Sequence, residues 1–70
     1  MMTIQSIFFP IPLFNAKKVN KWLIDNNLKK ISKVANVGRY FAVKISKDRY
    51  PKHPLERELP NGILIFYYDS

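Results

Sequence analysis

Phe14-Asn15-Ala16-Lys17-Lys18-Val19-Asn20-Lys21-Trp22-Leu23-Ile24-Asp25-Asn26-Asn27 decides the fold, because this stretch alone carries a complete set of helix signals. Asn15 is a good N-cap, and Phe14 before it is placed to pack on Val19 as a hydrophobic staple. Ala16, Val19, Trp22 and Leu23 recur at helical spacing and form an apolar stripe, with Lys17, Lys18, Lys21 and Asp25 on the opposite side. Asn26-Asn27 supplies a stop, since asparagine tolerates the left-handed conformation that closes many helices. Trp22 on the stripe of the one visible helix reads as a core anchor.

Strand signals flank the helix on both sides. Residues 3–9, Thr-Ile-Gln-Ser-Ile-Phe-Phe, are rich in β-branched and aromatic side chains, and Pro10 ends the run before an entry loop through Pro12. Lys29 to Val37 and Arg39 to Ile45 read as a hairpin turning through Asn36-Val37-Gly38. In its second arm Phe41, Val43 and Ile45 share one face, and Tyr40, Ala42 and Lys44 the other. Residues 46–61 read as a polar loop with Pro51, Pro54 and Pro60, in which Pro54 to Leu59 suits one helical turn. Asn61-Gly62 signals a turn into a last strand, Ile63 to Tyr68, whose apolar character on both faces predicts an interior position in the sheet.

The expected fold is therefore α+β: a single domain over residues 1–70, ordered β-α-β-β-β, with an antiparallel or mixed sheet and one helix packed on one face. One helix cannot cover both faces of a sheet. The far face is expected to present Tyr40 and some of Phe66, Tyr67 and Tyr68 to solvent or to a partner. A chain of 70 residues buries only roughly 60% of its unfolded surface. With no cysteine it has neither disulfides nor a thiolate zinc site to reinforce it, so apolar packing or a partner must hold it together. The 14% aromatic content provides large burial per residue.

The net charge of +7 is unevenly distributed. From Lys17 to Lys52, eleven basic residues meet only Asp25 and Asp48, a local +9, while the first sixteen residues are neutral and the segment from His53 carries −2. A basic middle between neutral ends suits a polyanion such as nucleic acid. A compositional origin is the other reading: nine lysines against three arginines, with abundant Ile and Asn, is what an AT-rich genome produces, and arginine is the better phosphate fork. No run of 18 apolar residues is present, and Ile7 to Phe14 lacks a basic flank and contains two prolines, unlike a signal peptide. The expectation is an intracellular protein, neither secreted nor membrane-spanning.

Several of these residues together resemble a short module of tailed phages and large DNA viruses: Ile7-Phe8-Phe9, Phe14-Asn15-Ala16, Trp22-Leu23, the basic Lys29-Lys30, Arg39-Tyr40-Phe41 and the closing Gly62-Ile63-Leu64-Ile65. The resemblance spans nearly the whole chain and implies a small basic α+β protein, sometimes joined to phage head-assembly proteins. It implies no activity, cofactor or site residue. The chain departs from the module in two places: Ala42 and Val43 stand where alternating arginines continue, and Asn26-Asn27 stands where a glycine follows the helix.

Catalysis has little to stand on. One histidine, no cysteine and five scattered carboxylates do not make a converging acid–base pair or triad, a metal site or a cofactor site. Glu56 and Glu58, two apart, would point to opposite sides of a helical turn, and two glycines are too few for a phosphate-cradling loop. Arg39-Tyr40-Phe41 superficially resembles the RNA-recognition strand but lacks its glycine and its later aromatics, although an aromatic sheet face flanked by lysines can stack single-stranded bases. Lys17 and Lys18 occupy the first helical turn, where the macrodipole disfavours cations, a cost that an anionic partner would explain.

The expected function is that of a non-enzymatic viral accessory or virion-associated protein binding nucleic acid without sequence preference. Its contacts would be Lys17, Lys18, Lys21, Lys29, Lys30, Lys33, Arg39 and Lys44, extended by Lys47, Arg49 and Lys52. The alternative is a protein–protein interaction or structural module using the uncovered aromatic face or a sheet edge. Inhibition of a host nucleic-acid enzyme fits less well, because such mimics are usually acidic.

Overall fold

The computed structural model describes residues 2–47 and 53–69. It is an α+β domain with one helix and a five-stranded antiparallel sheet. The elements are β1 (Met2–Pro10), α1 (Ala16–Asp25), β2 (Ala35–Val37), β3 (Tyr40–Lys44), β4 (Leu55–Glu58) and β5 (Leu64–Asp69). Their order across the sheet is β2-β3-β1-β5-β4, which puts the first strand at the centre.

The helix follows its sequence signals closely. The Asn15 side chain accepts a hydrogen bond from the Lys18 amide at 2.8 Å, satisfying one of the donors that a helix start leaves orphaned. At the other end Asn27 takes a positive φ of 57°. The Leu28 amide then donates to the Leu23 carbonyl (2.8 Å) and the Asn27 amide to that of Ile24 (3.0 Å), the two bonds of a Schellman cap. Leu28, partly buried against the core, adds the apolar contact that accompanies this cap. Val19 and Leu23 are buried, whereas Ala16 is exposed, so the apolar stripe is narrower than its spacing implies.

The core lies between α1 and the central strands: Ile7 and Phe9 from β1, Val43 from β3, Ile63 just before β5, and Val19 and Leu23 from the helix. Phe9, fully buried, is its hub. The Trp22 ring meets it edge-on with centroids 5.4 Å apart, and the Phe14 ring lies 5.3 Å away. Trp22 itself is only half-buried, capping the core rather than filling it.

A bulge reconciles β1 with its own sequence. Ile4 and Ile7 both pack toward the helix, although residues three apart on a regular strand face opposite ways. Ile4 pairs with Tyr67 and Ser6 with Phe66, leaving Gln5 as the extra residue. The Gln5 carbonyl accepts from the amides of both Ile45 (2.8 Å) and Ser46 (3.2 Å), which anchors the irregularity.

Two turns depart from the sequence reading. The β2–β3 hairpin turns on Gly38-Arg39, with Val37 paired to Tyr40. Positive φ at Gly38 alone fits the type II′ geometry. Only residues 35–37 of the long basic arm form a strand, while the Ile31 amide still reaches the Lys44 carbonyl along the edge of β3 (2.9 Å). The larger correction is β4. Leu55–Glu58 is a strand, not a helical turn, so the order is β-α-β-β-β-β. Pro60-Asn61-Gly62 makes a three-residue hairpin loop: the Gly62 amide donates to the Leu59 carbonyl (2.9 Å), the Leu59 amide to that of Ile63 (2.8 Å), and Gly62 has φ +88°. The hairpin forces its first arm to be extended, and pairing with β5 overrides the helix preference of Leu-Glu-Arg-Glu. β5 therefore lies inside the sheet, as expected, between β1 and β4.

This packing makes two stability predictions. Phe9→Ala should cost about 3–5 kcal/mol and abolish cooperative thermal unfolding followed by circular dichroism, while Trp22→Ala should cost less. The reverse order would mean that the helix cap, not Phe9, holds the core. Asn27→Val should lower stability by about 1–2 kcal/mol through its left-handed backbone, whereas Asn27→Gly should equal or exceed the parent.

Candidate nucleic-acid interface

The eight basic residues singled out from sequence divide between two sides of the molecule. Lys17, Lys18 and Lys21 are exposed on α1, and Lys29 and Lys30 are exposed just beyond its cap. The Lys30 ammonium donates to the Asn20 side chain at 3.0 Å, tying the segment after the cap back to the helix. A shallow groove lined by Leu23, Ile24, Leu28, Lys29 and Lys30 marks this side. Lys33 and Lys44 instead line a concavity on the far face of the sheet, and Arg39 lies at the β2–β3 turn beside Tyr40. The six lysines from Lys17 to Lys33 are thus not one continuous patch: the chain rounds the edge of the sheet between Lys30 and Lys33. Lys47 is exposed, and Arg49 and Lys52 lie outside the described residues.

Helix α1 has no acidic residue in its first turn and no basic residue in its last, so neither end of its dipole is complemented. Lys17 and Lys18 stand at the positive end, and Asp25 at the negative end. The local electrostatics therefore work against the helix and are offset by packing of Val19 and Leu23.

The face away from the helix is built by strand alternation. Phe8, between the inward-facing Ile7 and Phe9, must point outward, and β1 is the central strand. Strand pairing sets two cross-strand rows on this face: Lys44, Ser6, Phe66 and Glu56 in one, and Ala42, Phe8, Leu64 and Glu58 in the next. Tyr40, opposite Pro10, begins a third. Phe8 touches both diagonal neighbours, the Phe66 ring edge-on at 5.0 Å and the Tyr40 ring at 6.0 Å. Three half-buried aromatic rings therefore cross β3, β1 and β5 in a diagonal line. Beside them is an open concavity of about 680 Å³, walled by Phe8, Phe66, Ala35, Val37, Ala42 and Pro54, with Gln5, Ser6, Ser32, Lys33 and Lys44 among its lining residues.

Tyr40 and Phe66 lie on this face as expected, and Tyr68, alternating with Tyr67, joins them. Tyr67 pairs with the helix-facing Ile4 and belongs to the other side. Phe8, the centre of the aromatic line, was not singled out from sequence. Its signal was its position between two core residues. Glu56 and Glu58 share the open face, a strand spacing rather than the opposed helical spacing expected, and put negative charge at the β4 edge opposite the lysines. His53 is exposed, and Asp48 lies outside the described residues. Among the described residues no group of three or more His, Cys, Asp or Glu side chains is placed to hold a metal, and no helix is long and apolar enough to cross a membrane.

Compared with known protein families, curated proteins and solved structures, the chain matches none.

The uncomplemented helix dipole gives a test that separates folding from function. Lys17→Glu should raise stability by roughly 0.3–1 kcal/mol at low ionic strength, measured by denaturant unfolding. A loss of stability would show that Lys17 makes a structural contact the dipole account omits.

Proposed function

We propose that this protein is a small non-enzymatic nucleic-acid-binding module, of the viral accessory or virion-associated kind that its phage-module resemblance suggests. The observation that carries the proposal is the exposed lysine group on the helix side: Lys17, Lys18, Lys21, Lys29 and Lys30 are all solvent-facing, and Asp25 is the one acidic residue between them. Two of these lysines occupy a helix start at a local cost, and a phosphate chain would offset that cost. Phosphate contacts of this kind carry no sequence information, so binding is nonspecific and driven by counterion release.

A protein partner is the second reading, favoured by the uncovered aromatic face. The sheet edges favour it less. β2 has three residues, and β4 carries Glu56, Arg57 and Glu58, charges that discourage strand addition.

Binding to labelled duplex and single-stranded oligonucleotides across a salt series tests the proposal. Affinity should fall steeply with salt, to roughly 10⁻⁴–10⁻⁶ M at physiological ionic strength. Replacing Lys17, Lys18 and Lys21 with Gln should weaken binding to all sequences alike and flatten the salt slope, with the fold intact. A folded wild type that binds neither polymer at low salt, where attraction is strongest, would transfer the function to a protein partner.

A further inference from the structure

We infer that the open sheet face is a second, single-strand-selective site, on which unpaired bases stack against Phe8, Tyr40 and Phe66 while the phosphate chain follows Lys33 and Lys44. The inference rests on the nucleic-acid reading above and adds to it a surface, a ligand form and an orientation.

Three observations point to an unpaired strand. First, three aromatic side chains stand at the centre of this face with Leu64 beside them, and the ring centroids step across three adjacent strands at 5.0 and 6.0 Å. Aromatic rings offer a π-face to any base, so stacking needs no particular sequence. Of the exposed large aliphatic side chains, Leu13, Ile24, Ile31, Val37 and Leu55, Val37 alone walls the concavity. Second, charge is polarised across the face. Lys33 and Lys44 lie on the β2–β3 side, and Glu56 and Glu58 lie on β4. A polyanion is attracted along one border and repelled from the other, which fixes where its backbone runs. Third, the concavity of about 680 Å³ beside Phe8 and Phe66 has the size of a ligand pocket, and bases must leave a duplex stack to enter one. A duplex, its bases already stacked on one another, has nothing to offer these rings. The lysines of the helix side, by contrast, need only phosphates and accept either form.

Fluorescence anisotropy on the full chain, with labelled oligothymidylate and a duplex of equal length at matched salt, tests the inference. The wild type should prefer the single strand. Tyr40→Leu and Phe66→Leu, which keep apolar bulk, should each weaken single-strand binding by about tenfold, the scale of one base–aromatic stack, and leave duplex binding unchanged. Glu56→Gln with Glu58→Gln should tighten single-strand binding several-fold. Thermal unfolding checks each variant; if Phe66→Leu fails to fold, Tyr40→Leu and the glutamate pair still decide the matter. Equal binding of both forms, or single-strand binding untouched by Tyr40→Leu and by the glutamate changes, overturns this inference and leaves the helix-side reading standing. A folded wild type that binds neither form removes both and assigns the face to a protein.

Discussion

A single short helix must stabilise a sheet wider than itself. A ten-residue helix is about 15 Å long and, with side chains, about 10–12 Å across, while five strands spaced at about 4.8 Å span about 19 Å between the outer two. The helix therefore covers the middle of one face and no more. The core concentrates where it sits: Ile7, Phe9, Val43 and Ile63 meet Val19 and Leu23. The outer strands β2 and β4 are exposed throughout, and on the second face Phe8, Tyr40, Phe66 and Tyr68 are half-buried. Among the described residues there is one helix, and the exposed aromatic face follows from that.

Charge follows the same division. The helix side carries lysines at the helix end least able to tolerate them, and the open face carries lysines on one border and glutamates on the other. The helix-side arrangement works against the local fold. On the proposed reading the two surfaces would ask different things of an anionic partner: the helix side would meet phosphates, and the open face bases as well. A small domain with two such faces has more ways to engage a flexible strand than a rigid duplex.

The helix and its caps were legible from signals that act within a few residues. The Asn15 cap, the Asn26-Asn27 stop and the outward Tyr40 depend on neighbours within a few residues, and they stand as expected. Two local details were misread, the β2–β3 turn, which lies at Gly38-Arg39, and Ala16, which is exposed; the larger misreadings arose from long-range pairing. Leu55–Glu58 has helix-forming residues and becomes a strand because Pro60-Asn61-Gly62 folds it onto β5. Gln5 is a bulge because its carbonyl is captured by Ile45 and Ser46, forty residues away or more. The lysines from Lys17 to Lys33 are continuous in sequence but divided in space, since the chain rounds a sheet edge that no local pattern announces. Phe8 was legible in principle, as the outward residue between two core side chains, once β1 is known to be the central strand.

The central claim is that the face left uncovered by the helix is the protein's working surface for unpaired nucleic acid. Nuclear magnetic resonance of the aromatic ring protons during titration with oligothymidylate tests it most directly, because a stacked base shifts the ring it covers. The account predicts progressive shifts for Phe8, Tyr40 and Phe66, with Phe9 and Trp22 on the covered side left in place. Perturbations confined to residues 17–30, with the three open-face rings unmoved at saturation, would contradict it.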